Sequence, residues 1–153
     1  GFMKDYACER IYRDARIKSI YEGTTQLQVV AAIRHVTTGT YLNMMKFYES
    51  QEISSDLIPL RNRLKTMTEI YEKIVTKVTE TKDPEYIDFH ARRMVEMAGH
   101  IIMGHLLLLD TTRCDSFRTS AEVYIHYGES EVTKNAKFID QFDVEDLEFY
   151  RMK

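Results

Sequence analysis

The apolar positions Leu60, Leu64, Met67, Tyr71, Ile74 and Val78 alternate at spacings of four and three residues, with charged and polar residues filling the intervals. That stripe is the seam of a helix packed nearly parallel or antiparallel to its neighbours. It predicts a helix of about 26 residues, roughly 39 Å long at 1.5 Å per residue. Pro59 is compatible because it falls in the first turn. Asp83-Pro84 marks the next break, with Asp83 as N-cap and Pro84 at the first helical position. The second long helix has an apolar face through Tyr86, Phe89, Met94, Met97 and Ile101. That face broadens into Leu106 to Leu109, which predicts last turns buried on most sides. Asp115 or Ser116 can cap a third helix, striped by Ala121, Tyr124, Ile125, Gly128, Val132, Ala136 and Ile139. Residues 143 to 153 add a final turn through Val144, Leu147 and Tyr150, or fray.

Upstream the periods are shorter. Cys8, Ile11, Tyr12 and Ala15 recur at helical spacing between Tyr6 and Ile17. Thr24 and Thr25 offer a hydroxyl N-cap to a second short helix, on which Leu27, Val30, Ala31 and Arg34 keep the period until Gly39 supplies a stop. A weak helix over Tyr41 to Tyr48 leads into a polar connector, Glu49 to Asp56. The fold class predicted is all-α: a helical bundle of long up-down helices joined by short turns, preceded by two short helices. The expected division is residues 1–40, a connector over 41–56, and the bundle over 57–153.

Composition changes this picture little. In 153 residues, 44% hydrophobic and 29% charged is ordinary for one globular domain, and two prolines with six glycines punctuate too little for a many-stranded sheet. A net charge of -3 with interspersed signs leaves no basic footprint for nucleic acid. Cys8 and Cys114 are too isolated for a disulfide framework or a zinc site, which suits a reducing cytoplasmic setting. The longest apolar run, Ile101 to Leu109, is too short to span a bilayer, and no signal peptide is recognisable. The opening Gly1, in place of an initiator methionine, leads to the expectation of an excised fragment.

Candidate chemistry concentrates in Ile20-Tyr21-Glu22-Gly23-Thr24-Thr25-Gln26-Leu27-Gln28. Glu22 stands between an aromatic residue and a glycine, in the turn entering a helix, where free backbone N–H groups and the positive helix end suit an anionic group or a phosphate. It is the candidate catalytic base, although the residues preceding it are too few to build a deep pocket. His100 and His105 lie five apart on one helix, so they point in different directions and are not expected to share a metal. Arg92-Arg93 and the Lys/Glu-rich stretch 72–82 read as solvated faces, and Met44, Met45, Met67, Met94, Met97 and Met103 as core filler.

One further signal is a resemblance. Asp5-Tyr6, the run Glu9-Arg10-Ile11-Tyr12-Arg13-Asp14-Ala15-Arg16-Ile17, the segment Ile20 to Gln28 and Arg34 together resemble the C-terminal end of a flavin-dependent acyl-CoA dehydrogenase. The likeness covers about residues 1 to 38. Ala7 stands where that family usually has proline, and His35 where an acidic residue is common. The resemblance implies that Glu22 is the general base removing the proton alpha to the thioester, in the arrangement of the short-chain or medium-chain type. It implies that Gly23 lets the thioester approach and that Tyr21 walls the acyl pocket. It also implies that Thr24, Thr25 and Gln26 contact FAD, with acyl-CoA as substrate and an electron-transferring flavoprotein as partner. Residues from about 54 onward resemble, less specifically, the helical C-terminal extension of some bacterial acyl-CoA dehydrogenases. The bundle is therefore expected to serve packing and homo-oligomeric assembly, in an enzyme of the bacterial cytoplasm. The isolated chain is expected to be inactive and flavin-free. The alternative is a non-enzymatic helical interaction module whose first forty residues are simply its first helices.

Overall fold

The structure, a computed structural model, describes residues 8–17 and 25–151. Among the described residues all regular structure is helical: α1 (Glu9–Ile17), α2 (Thr25–Thr37), α3 (Thr40–Glu49), α4 (Ile58–Glu80), α5 (Pro84–Arg113), α6 (Arg118–Asp140) and α7 (Glu148–Arg151), with short 3-10 turns at Ser55–Leu57, Asp115–Phe117 and Val144–Leu147. None of these helices is long and apolar enough to cross a membrane.

Every position of the α4 seam is buried: Leu60, Leu64, Met67, Tyr71, Ile74 and Val78. The helix runs 23 residues, slightly less than its pattern predicts, because residues 55–57 tighten into the 3-10 turn. Cross-chain contacts fix the directions. Leu64 meets Gly104, while Met67 and His100 meet at Gly128, so α4 and α5 are antiparallel, and a Cβ at position 104 would lie 2.5 Å from the Leu64 Cδ2. Asp56–Arg118, Arg63–Glu129 and Lys77–Asp140 advance together along α4 and α6, making those two parallel. The result is the predicted up-down-up bundle. α5 is its axis, packed by α4 and α6 and, on a third side, by α2 and α3. α3 lies antiparallel to α4, with Lys46 on Glu72 at 2.9 Å and Glu49 reaching Lys65 at 4.0 Å.

The helix boundaries follow local chemistry. Asp83 caps α5 as its sequence predicts, its Oδ1 accepting the N–H of Glu85 at 2.9 Å and of Tyr86 at 3.4 Å. Asp83→Ala is expected to cost about 1 kcal/mol of stability, readable as a lowered urea midpoint. Gly39 has a φ of 74°, and its N–H donates to the Val36 carbonyl, so the positive φ that glycine tolerates both ends α2 and starts α3.

Four expectations are corrected. The buried stripe of α2 is Val29, Ile33 and Val36, while Leu27, Val30, Ala31 and Arg34 are exposed. Neither Asp115 nor Ser116 caps α6 through its side chain. Asp115 instead takes the Arg118 guanidinium at 2.7 Å, and Ser116 Oγ pairs with Cys114 Sγ. Arg93 is not on a solvated face: it is half-buried, its guanidinium carbon 3.8 Å from the centroid of the Phe138 ring. Met44 and Met103 are exposed, whereas Met45, Met67, Met94 and Met97 fill the core.

Candidate functional site

Glu22, Tyr21, Gly23 and Thr24 lie outside the described residues; Thr25 and Gln26 are the first two residues of α2. Both are exposed, and no acidic residue stands in that first turn. The opening amides of an α-helix have no intrahelical acceptors, and here a hydroxyl and a carboxamide stand beside them. A diphosphate group fits that donor set, because helix N-termini attract anions and no carboxylate of the same turn opposes it. The other side of α2 is held by Val29, Ile33 and Val36 in the bundle core, so the donor-bearing end projects from a fixed support. Before it, α1 carries the ion pairs Glu9–Arg13 at 2.7 Å and Arg10–Asp14 at 3.8 Å, and leaves Ile11, Tyr12 and Ile17 exposed.

The bundle holds a polar arrangement of another kind, which the hydrophobic periods did not single out. His90 is fully buried inside a box of aromatic rings: Tyr86 at 4.6 Å, Phe89 at 5.0 Å, Phe142 at 5.3 Å and Phe138 at 6.2 Å between centroids. Neither ring nitrogen has a hydrogen-bond partner. Burial, with Arg93 and Lys77 adding positive charge nearby, pushes its pKa down to about 4. The Tyr86 hydroxyl donates to the Phe142 carbonyl at 2.6 Å and ties the chain after α6 to the start of α5. His105, also buried, is pushed down to about 4 by burial alone. His100 is half-buried beside the Tyr124 hydroxyl at 3.3 Å. No group of three metal-ligating side chains occurs among the described residues. The spacing of Tyr86, Phe89 and His90 on one helix, with Phe138 on α6 and Phe142 just beyond its end, was the available sequence signal for the box.

Comparison with known proteins divides the chain in two. Residues 37–147 match the family model described as acyl-CoA dehydrogenase C terminal, and residues 1–37 match the acyl-CoA dehydrogenase, C-terminal domain model. A solved structure of an acyl-CoA dehydrogenase family protein from Porphyromonas gingivalis is 46% identical with a TM-score of 0.70, the match covering 74% of this chain and 98% of that one. An acryloyl-CoA reductase (NADH) of Anaerotignum propionicum is 56% identical over 36 residues, 24% of this chain and 9% of that protein. A caffeyl-CoA reductase-Etf complex subunit of Acetobacterium woodii is 57% identical over 28 residues, 18% of this chain and 7% of that protein. The chain spans about a tenth of the length of the curated relatives it matches.

Proposed function

This chain belongs to the acyl-CoA dehydrogenase family, and from that premise we propose that it is the C-terminal part of an FAD-dependent enzyme that dehydrogenates acyl-CoA thioesters between the alpha and beta carbons. The observation that carries the reading is the family match over residues 1–37, which contains the run from Tyr21 to Gln26. Glu22 is the base that takes the alpha proton. Gly23 leaves room for the thioester, and Tyr21 walls the acyl group. Thr24, Thr25 and Gln26 hold the diphosphate or adenosine of FAD at the exposed start of α2. FAD, when bound, supplies the acceptor for the hydride leaving the beta carbon. An electron-transferring flavoprotein is the partner that removes the electrons, a role in keeping with the Etf complex named for the Acetobacterium relative. The isolated 153-residue chain is inactive and flavin-free, and it belongs to the bacterial cytoplasm. Its bundle serves packing and homo-oligomeric assembly.

The relatives named as reductases favour a second direction for the same site. Run in reverse, the Glu22 carboxylic acid delivers a proton to the alpha carbon of a 2-enoyl-CoA. The two readings separate on the complete enzyme, these residues joined to their upstream catalytic body, under anaerobic conditions. Acyl-CoA thioesters of graded chain length are expected to bleach the visible flavin band if dehydrogenation is the working direction. Re-oxidation of the reduced enzyme by an enoyl-CoA, without bleaching by any acyl-CoA, marks the reductive one. Neither response from either thioester class overturns the proposal.

A further inference from the structure

Gly99 sits in the middle of the 30-residue α5, is exposed, and has nothing within 4 Å of where a Cβ would stand. Glycine in a helix interior is less stable than alanine, and here no contact among the described residues requires it. Gly104 on the same helix is different, since Leu64 occupies the space its side chain would need. The position one turn after Gly99 is Met103, 46% exposed. Alongside them, across His100, α6 presents Tyr127 at 54% and Val123 at 65% exposure, the His100 and Tyr127 rings 5.4 Å apart. Methionine and tyrosine around an open notch are the composition of an interface core rather than of a solvated helix face.

From this notch and the charges that flank it, we infer that α5 pairs antiparallel with α5 of a second copy of this chain, across a two-fold axis near residue 101. In a two-fold interface each residue pairing occurs twice, so a self-complementary surface needs a knob and a hole equally far from the axis. Gly99 and Met103 meet that requirement: each Met103 enters the partner's Gly99 notch. The same register sets Arg92 opposite the partner's Asp110 on both sides of the axis. Neighbouring registers are disfavoured by charge. Facing Gly99 with Gly99 brings Asp88 against Asp110, and facing Gly99 with Leu106 brings Arg92 against Arg113. Arg92 can keep Glu96 of its own chain while taking the partner's Asp110, and Asp110 can keep its own Arg113, so the pairs within each chain need not break. This inference deepens the assembly role proposed for the bundle and rests on it.

Sedimentation equilibrium of the 153-residue chain tests it, with circular dichroism verifying that each variant keeps its helicity. The chain is expected to dimerise reversibly. Arg92→Asp and Asp110→Arg are each expected to weaken the dimer by at least about tenfold through like-charge opposition, and the double substitution to restore it. Gly99→Ala carries opposite signs: it raises the melting temperature of the folded chain while weakening the dimer, because alanine suits the helix and fills the notch. A monomer at all concentrations overturns both the assembly role and this interface. A dimer indifferent to the charge substitutions and to Gly99→Ala keeps the assembly role and overturns the interface alone, and failure of the double substitution to restore association overturns the register.

Discussion

Glu22→Gln in the complete enzyme is expected to lower turnover by about 10²- to 10⁴-fold, the usual contribution of a positioned general base, and to leave flavin binding intact. Glutamine keeps the volume of the side chain and can still hydrogen bond, but it cannot take the alpha proton. The loss should therefore fall in kcat and in kcat/KM together, as expected for an interaction made only in the transition state. The flavin spectrum reports the second half of the claim. Thr24, Thr25 and Gln26 are untouched by the substitution, so the visible band should be unchanged. A further readout is isotopic: exchange of the alpha hydrogen of a bound thioester with deuterated solvent should disappear with the carboxylate. Near-normal turnover in the variant removes Glu22 from its role and leaves the family assignment standing.

Acidification from pH 7 to 4 should remove about 3 kcal/mol of stability for each of the two buried histidines, a large share of what a small domain has. His90 and His105 are both pushed down from 6.5 to about 4 in the folded chain. Between those values the unfolded chain binds protons that the folded chain refuses, so acid favours unfolding. Their neutral forms are fully tolerated above pH 6.5, and stability falls as the pH drops from there through 4. The cause differs between them. His105 is opposed by burial alone, whereas His90 also meets Arg93 and Lys77, on α5 and α4. Asp56 is held below its usual range by hydrogen bonding to Arg118, so its loss has the same sign and enters only at the acid end of this window. Urea midpoints followed from pH 7 to 4 should slope steeply, and His90→Phe, which keeps an aromatic ring in the box, should flatten about half of the slope. An unchanged slope in that variant would show that the imidazole is not the group being titrated.

How far the sequence carried depends on how many sides of each helix are covered. α4 was legible position by position because its seam is apolar and its other faces are charged. Asp83-Pro84 was legible because capping is decided within three residues. α2 was not: Leu27, Val29, Val30, Ala31, Ala32, Ile33 and Val36 surround most of that helix, so periodicity could not choose between the face bearing Leu27 and the one bearing Val29. Arg93 was misread because a guanidinium can lie over an aromatic ring, and the ring it covers comes from another helix, 45 residues away. His90 escaped for the same reason, since its box closes only when α6 and the segment after it fold back. The candidate site was legible as a motif and not as a geometry. The run from Tyr21 to Gln26 carries the motif, and of its members only Thr25 and Gln26 lie within the described residues.

The anchoring of α2 gives its first turn and the bundle a shared free energy. Val29, Ile33 and Val36 belong to the core while Thr25 and Gln26 stand at the free end of the same helix. Any ligand that draws its binding energy from that free end therefore returns part of it to the core, and the exchange is reciprocal by linkage. A core substitution at Met45 or Ile101 is therefore expected to weaken the apparent affinity for any ligand held at that end to the extent that it lowers the folded fraction. The bundle is in this sense a thermodynamic partner of the site rather than a scaffold behind it.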